Sequence, residues 1–134
     1  ITLNHVFEHI TNPYEFLKRL RNNINQTTKV VIVVPNSSSI WRYIFREKWY
    51  GWDPPVHVHL YNQKSLKIIM NKAGYKIEYL SCLNKIDALV SALNHSGFKL
   101  NRLKLLFRII SFLVAPFLMK FNISPEIICI VSKI

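Results

Sequence analysis

The hydrophobic and polar positions at the start of the chain predict a strand, a helix and a second strand. A short apolar stretch at residues 1–3 leads into residues 4–10, where the apolar positions have helical spacing. Thr-Asn-Pro at residues 11–13 is a helix-start signal, and an amphipathic stripe follows to about Asn23. Residues 29–34 are almost continuously apolar and β-branched, which is typical of a strand covered on both faces.

The middle of the chain predicts four more elements, separated by serine, asparagine, glycine and proline. They are a short aromatic helix at residues 40–49, an extended segment at 56–61, a helix from about 62, and a strand at 75–80. The second helix should end at Gly74, which stands where a C′ glycine belongs. The extended segment alternates apolar and polar residues, as a half-exposed strand does.

The last third predicts a helical insertion and a closing strand. Residues 84–125 contain a dense apolar block, and residues 126–134 carry the final buried strand. Strands therefore alternate with helices along the chain, which is the order of an α/β domain. We expect one domain over residues 1–134, with core motifs at 1–83, the insertion at 84–125 and the closing strand at 126–134.

Composition and charge narrow the function classes only slightly. Half of the 134 residues are hydrophobic, and the formal net charge is +11. Such a charge attracts nucleic acid, anionic lipid or phosphorylated substrates. The chain has no zinc-finger spacing and no aromatic RNA-binding signature, so nucleic acid is not an expected partner. Cys82 and Cys129 stand far apart in apolar stretches, which predicts buried free thiols in a reducing cytosol and a cytoplasmic protein.

Three ordered motifs carry a resemblance. TLNHVFEHITNP at residues 2–13, VVPN at 33–36 and WYGWDPPVHVHLY at 49–61 stand in fixed order. They are similar to the segment after the fourth strand, the end of the fifth strand and a later motif of class I S-adenosylmethionine-dependent methyltransferases. The Leu-x-Pro-Gly-Gly turn usual in that family is Ile-Asn-Gln-Thr-Thr here, at residues 24–28. The resemblance implies a Rossmann-like sheet, S-adenosylmethionine as cofactor and methyl transfer as the reaction.

The resemblance covers the C-terminal half of the family's fold. The family's glycine-rich cofactor loop cannot be formed by Gly51, Gly74 and Gly97, which are isolated from one another. The chain begins with Ile, and no signal peptide is predicted, so its start resembles a cut within a strand. We therefore expect this fragment alone to be inactive and to bind S-adenosylmethionine weakly or not at all.

The resemblance also suggests which residues meet the cofactor. Leu3, Asn4 and His5 stand at the end of the first strand, and the family pattern implies that this turn flanks the methionine and sulfonium of the cofactor. The alternative is that Asn4 only caps the next turn. Glu8 and His9 follow one turn later, where they either tie the turn to neighbouring backbone or act in catalysis.

His57 and His59 are the candidate catalytic residues. They lie two apart on an extended segment, so their side chains should share a face. Histidine can take a proton from a hydroxyl or amine acceptor near neutral pH. The alternatives are a zinc site and simple polar packing. No third ligand is evident beside the two histidines in the sequence, so no metal is predicted.

Two apolar regions could bind the acceptor or a membrane. The aromatic residues of the segment 41–52 could close over a substrate or form ordinary core; they are Trp41, Tyr43, Phe45, Trp49 and Trp52. Residues 99–119 combine basic side chains with a hydrophobic face, which fits either peripheral membrane contact or a buried core or dimer helix. Its uncharged part, residues 109–119, is shorter than the ~20 residues that span a bilayer. Pro116 should kink or end that helix.

These observations lead to two functional hypotheses. The first is methyl transfer from S-adenosylmethionine to a small-molecule or lipid-linked acceptor. The second is a non-catalytic methyltransferase-like module that binds a membrane surface or a protein partner through its basic apolar helix.

Overall fold

A four-stranded mixed sheet forms the centre of the fold. The structure is a computed structural model, and it describes residues 1–84 and 104–134. The strands are β1 (Thr2–Asn4), β2 (Lys29–Pro35), β3 (Tyr75–Leu83) and β4 (Glu126–Lys133). Their spatial order is β1-β2-β4-β3. β1 and β2 are parallel, whereas β4 runs antiparallel to both of its neighbours.

The helices follow the predicted order along the chain. They are α1 (Pro13–Asn22), α2 (Ile40–Phe45), α3 (Gln63–Lys72) and α4 (Lys104–Lys120), with short 3-10 helices at Phe7–His9 and Arg46–Lys48. This alternation of strands and helices confirms the predicted α/β class. The part of the predicted insertion at residues 85–103, and with it the start of the predicted membrane-contact segment, lies outside the described residues.

Local sequence signals account for the helix ends. The Asn12 side chain accepts a hydrogen bond from the Glu15 amide at 3.3 Å and caps α1. At the start of α3, Asn62 and Ser65 form a reciprocal capping box, with bonds of 2.8 and 2.9 Å. Gly74 follows α3 with a φ of +79°, the left-handed conformation that glycine adopts without steric cost.

The hydrophobic core lies between the sheet and helices α1 and α3. It is formed by fully buried side chains, chiefly Phe7, Leu17, Val30, Ile32, Val34, Leu66, Met70, Tyr75, Ile127 and Val131. The continuous apolar run of β2 is buried along most of its length, as predicted. Both cysteines are buried free thiols, also as predicted, and burial raises the pKa of Cys129 to about 11.

Asn36 ties the end of β2 to the approach to β4. Its side chain is buried, and its Nδ2 donates to the carbonyl oxygens of Asn122 at 3.0 Å and Ser124 at 2.8 Å. Its Oδ1 accepts from the Ser38 amide at 3.0 Å. The Asn after the strand is therefore a structural residue that satisfies three backbone groups.

The structure corrects one local prediction and narrows two others. The aromatic helix is shorter than expected, because Arg46 takes a φ of +48° and a 3-10 turn replaces the last α-helical turn. Residues 56–61 are not a regular strand, and their one β contact is a bridge between Asn36 and Tyr61. Helix α4 does not end at Pro116 but continues to Lys120, so the missing amide of the proline is tolerated there.

Helix α4 rests on the fold by a narrow face. Ser111 and Leu118 are buried, whereas the other large apolar side chains described on this helix are mostly exposed. They include Leu105, Leu106, Ile109, Phe112, Leu113 and Phe117. Within the described ranges, no helix has both the length and the apolar character needed to cross a membrane.

Candidate active site

The candidate site lies where β1 ends and the next 3-10 turn begins. Two backbone amides of a distant segment hold this turn, because Val58 N and His59 N both donate to the carbonyl oxygen of Glu8, at 3.0 and 3.1 Å. The segment that carries the two predicted catalytic histidines is thus fixed against the turn that carries Glu8 and His9. This contact cannot be read from the sequence, because the two segments are far apart along the chain.

Glu8, His9 and His57 come together and are called here the Glu-His-His cluster. The rings of His9 and His57 have centroids 4.8 Å apart, and His57 Nε2 lies 3.9 Å from Glu8 Oε1. One ligand atom from each of the three residues lies within 4.8 Å of the others. No third ligand is evident in the sequence beside His57 and His59, whereas in the fold the turn after β1 brings Glu8 and His9 next to His57.

Backbone carbonyl oxygens orient both rings of the cluster. His9 Nδ1 contacts the carbonyl oxygen of Val56 at 2.9 Å, and His57 Nδ1 contacts that of Gly51 at 3.0 Å. A carbonyl oxygen only accepts hydrogen bonds, so each Nδ1 carries the hydrogen. In each neutral ring, the lone pair is therefore on Nε2.

The Glu8 carboxylate is buried and only half satisfied. Its side chain is 1% exposed, and Oε1 contacts His5 Nδ1 at 3.2 Å. Its other oxygen, Oε2, has no hydrogen-bond partner within the described part of the chain. The hydroxyl of Tyr61 is likewise buried without a partner there, and burial, followed by the charge of Glu8, raises the pKa of that phenol.

His5 is held as a cation between two carboxylates. Its Nε2 lies 3.2 Å from Glu126 Oε1, and the hydrogen bonds that its ring donates to Glu126 and Glu8 raise its pKa to about 9. Of the other two residues predicted to contact the cofactor, Asn4 is exposed at the end of β1 and Leu3 packs partly against the core. Contact of all three with the cofactor remains a prediction.

The two candidate catalytic histidines point inward but have different partners. Val56 and Val58 are 52% and 47% exposed, so the apolar residues of this segment face solvent and the histidines face the protein. His59 Nε2 contacts the Thr11 carbonyl oxygen at 3.3 Å, away from the cluster. His57 is paired with His9, not with His59. A catalytic role for either residue stays a prediction.

Comparison with known proteins gives the family. Residues 1–80 match a family described as "Methyltransferase domain". The chain belongs to this methyltransferase family. A solved S-adenosylmethionine-dependent methyltransferase from Archaeoglobus fulgidus is similar, with 22% identity and a TM-score of 0.53. The similarity covers 98% of this methyltransferase-family chain and 57% of that structure. No curated protein matches the sequence.

These comparisons confirm the recognised family and the fold. The methyltransferase chain is a partial Rossmann-like α/β domain, and it spans 57% of the length of the similar structure. The family match contains the complete Glu-His-His cluster and the ends of β1 and β2, whereas α4 and β4 lie beyond the matched residues.

The aromatic residues of the segment 41–52, called here the aromatic cap, are divided between the core and the surface of the methyltransferase domain. Trp41 and Trp49 are buried and form a cluster with Leu118 of α4. Tyr43, in contrast, is 68% exposed. It lines an open cavity of about 750 Å³ together with Arg42, Arg46, Glu47, Trp52 and Pro54. The buried tryptophans therefore fit the prediction that the cap is ordinary core, and exposed Tyr43 fits the alternative that the cap closes over a substrate.

Proposed function

We propose that this chain forms the C-terminal part of an enzyme that transfers a methyl group from S-adenosylmethionine to a small-molecule or lipid-linked acceptor. The observation that supports this is the family match over residues 1–80, which contains a histidine-rich site at the ends of β1 and β2. In open α/β sheets, ligands bind outside the carboxyl ends of the strands. The position of the site supports this proposal.

Only part of the cofactor site is expected within this chain. Asn4 is exposed at the carboxyl end of β1, and the φ of +51° at His5 turns the chain sharply after it. Asn4 and Leu3 would thus flank the cofactor, which supplies the electrophilic methyl group. His5 already contacts Glu8 and Glu126, so we assign it the role of holding this turn. The glycine-rich contacts of the family must come from elsewhere.

A histidine would remove the acceptor's proton. His57 presents its Nε2 toward the Glu8 carboxylate, which stabilises an imidazolium that forms there. His59 contacts Thr11 through Nε2, which leaves its Nδ1 free to accept a proton. Either ring could therefore act on a hydroxyl or amine acceptor, and we propose both as candidates.

The test uses the full-length protein, including any residues that its gene encodes upstream of residue 1. S-adenosylmethionine is titrated by calorimetry, and methyl-tritiated S-adenosylmethionine is incubated with lipid extract and with water-soluble extract. We expect S-adenosylmethionine to bind in the calorimetric titration. We also expect tritium to be transferred to a component of one extract, and the label should enter the organic phase if the acceptor is lipid-linked. If the protein neither binds S-adenosylmethionine nor transfers label to either extract, the proposed activity is overturned.

The histidines are tested in the same assay. Substitution of the acting base by Gln should lower kcat by about 10²–10⁴-fold, because general-base catalysis contributes about that much. It should also remove the limb of the pH–rate profile that reports the imidazole. If His57→Gln, His59→Gln and the double variant all keep full activity, neither histidine is the base.

The second candidate function is docking on an anionic membrane through α4. The exposed face of this helix is strongly apolar, the same helix carries Lys120, and the whole chain has a net charge of +11. Apolar contact combined with positive charge is the combination that binds interfacial helices to anionic lipid. Because Val114 and Leu118 pack on the tryptophans of the cap, such docking would bring the cap toward the lipid surface.

Vesicle sedimentation tests this docking. The full-length protein should sediment with phosphatidylglycerol vesicles but not with phosphatidylcholine vesicles. Leu113→Glu and Phe117→Glu should abolish binding, whereas Ile68→Glu, an exposed apolar position on α3, should leave it unchanged. If the protein does not bind either kind of vesicle, membrane docking is wrong. If instead it dimerises with increasing concentration and these two variants disrupt the dimer, the exposed face of α4 binds a protein partner. Docking without cofactor binding would favour the non-catalytic module.

A further inference from the structure

The geometry points to a binding site for a divalent first-row transition-metal ion at the Glu-His-His cluster. Glu8, His9 and His57 each offer one ligand atom, and these atoms lie within 4.8 Å of one another. One carboxylate with two imidazoles is a ligand set that zinc and non-haem iron proteins use. Two donors on one tetrahedral zinc ion lie about 3.3 Å apart, so binding requires the ligand atoms to approach one another by up to about 1.5 Å.

The orientation of the two rings is the first argument. Histidines that bind a metal usually donate their other ring N–H to a backbone carbonyl oxygen or a carboxylate, which fixes the ring and its tautomer. Both rings have this contact already, from His9 to Val56 and from His57 to Gly51. Both Nε2 atoms are thereby left as acceptors, and that of His57 lies 3.9 Å from the Glu8 carboxylate.

The unsatisfied oxygen of Glu8 is the second and independent argument. Glu8 is 1% exposed, and its Oε2 has no hydrogen-bond partner among residues 1–84 and 104–134. A buried polar atom without a partner costs about 1–3 kcal/mol, and a carboxylate oxygen costs more. His5 contacts only Oε1, whereas a metal ion bound to Oε2 would offset that cost.

The ligands are also held by backbone on both sides of the cluster. The carbonyl oxygen of Glu8 accepts from the amides of Val58 and His59, so the turn with Glu8 and His9 cannot move independently of His57. A metal site needs such positioning, because donor directions must be kept within narrow limits. Here the two backbone hydrogen bonds keep the segments together, and side-chain movement supplies the remaining approach when the metal binds.

A metal ion at this position would have chemical consequences for the site. Three protein ligands leave coordination positions open for water or for an acceptor oxygen, which the metal polarises. The ion would occupy Nε2 of His57, so His59 would remain as the histidine available to take a proton. Metal binding itself does not rest on methyl transfer, since it needs neither cofactor nor acceptor.

Cobalt titration tests the site. The full-length protein, stripped with a chelator, is titrated with Co²⁺ while the visible ligand-field bands are recorded, and Zn²⁺ is then added as competitor. We expect one Co²⁺ per chain, with bands of four- or five-coordinate cobalt that Zn²⁺ abolishes. Glu8→Gln, His9→Ala and His57→Ala should each weaken binding by at least about 100-fold. His59→Ala, the matched histidine outside the cluster, should change it by less than about twofold.

A further variant separates ligation from folding. His9→Cys replaces one ligand by a thiolate, so it should keep cobalt bound and add a sulfur-to-cobalt charge-transfer band. Circular dichroism of the metal-free variants checks that each is folded. Absence of Co²⁺ and Zn²⁺ binding by the folded wild-type protein would overturn the site. The site would also be overturned if the three ligand variants bound Co²⁺ as tightly as the wild type, or if His59→Ala lost as much Co²⁺ affinity as they do.

Discussion

His5 Nε2 lies 3.2 Å from Glu126 Oε1, and this ion pair joins the turn after β1 to the first residue of β4. The other ring nitrogen of His5 contacts Glu8 at 3.2 Å. A single cation thus links the two buried carboxylates near the candidate site. Because β4 stands between β2 and β3 in the sheet, this contact connects the site to the closing strand.

This ion pair predicts a loss of stability at alkaline pH. The pKa of His5 is raised from 6.5 to about 9, so the protonated ring is favoured in the folded protein. Its contribution to the free energy of unfolding is complete below pH 6.5 and declines as the pH rises through about 9. With EDTA present, urea unfolding should show a larger difference between wild type and Glu126→Gln at pH 6 than at pH 9.5. NMR titration of His5 near its ordinary pKa would contradict this.

Gly51→Ala should disturb the candidate site from a distance. A Cβ at residue 51 would overlap the indole of Trp49, which is buried. Relief of that overlap moves either the indole or the Gly51 carbonyl oxygen that orients His57. We expect a cost of about 1–3 kcal/mol in the free energy of unfolding and a Co²⁺ affinity about 10-fold weaker.

The double variant Trp49→Phe/Gly51→Ala is the control for this effect. The smaller ring gives the added methyl group more room, so part of the lost cobalt affinity should return. Unchanged tryptophan emission and full cobalt affinity in Gly51→Ala would contradict the steric argument.

Asn36→Asp should strongly destabilise the folded chain. The amide Nδ2 donates to two carbonyl oxygens, and a carboxylate would place a buried negative charge against both. We expect a loss of about 3–5 kcal/mol in the free energy of unfolding, measured with urea at pH 7. Asn71→Asp, the same change at an exposed position, should cost less than about 1 kcal/mol. Similar costs for both variants would show that the Asn36 contacts are not the cause.

Leu118 and Leu113 provide a matched pair on α4. Leu118 is 4% exposed and packs with Trp41 and Trp49, whereas Leu113 is 69% exposed. Leu118→Ala should therefore cost about 2–5 kcal/mol in the free energy of unfolding, and Leu113→Ala less than about 0.5 kcal/mol. Chemical denaturation followed by tryptophan fluorescence measures both. Equal costs would mean that α4 does not pack on the aromatic cluster.

Much of the fold was predictable because its signals are local. The cap at Asn12, the capping box at Asn62 and the left-handed glycine at position 74 act within a few residues of the chain. The apolar run of β2 likewise needs no distant partner to be recognised. The errors arose where backbone strain or packing overrides pattern, as at Arg46, where the left-handed φ cuts the aromatic helix short.

The alternation at residues 56–61 shows how a correct pattern can be incomplete. It indicates that side chains of two kinds face opposite sides, but not which side faces the protein. Apolar residues normally face inward, yet here the valines are exposed and the histidines point toward Glu8 and Thr11. The carbonyl oxygen of Glu8 decides this, because it fixes the backbone of the segment through two hydrogen bonds.

The sequence by itself determined the family, the α/β order of elements and the histidines as candidate chemical groups. These follow from periodicity, capping residues and ordered motifs, which are properties of short segments. Only the tertiary structure decided that His57 is paired with His9 and Glu8, and that His5 is held between Glu8 and Glu126. These contacts join segments that are distant along the chain. Their geometry depends on how sheet and turns pack, which no local pattern specifies.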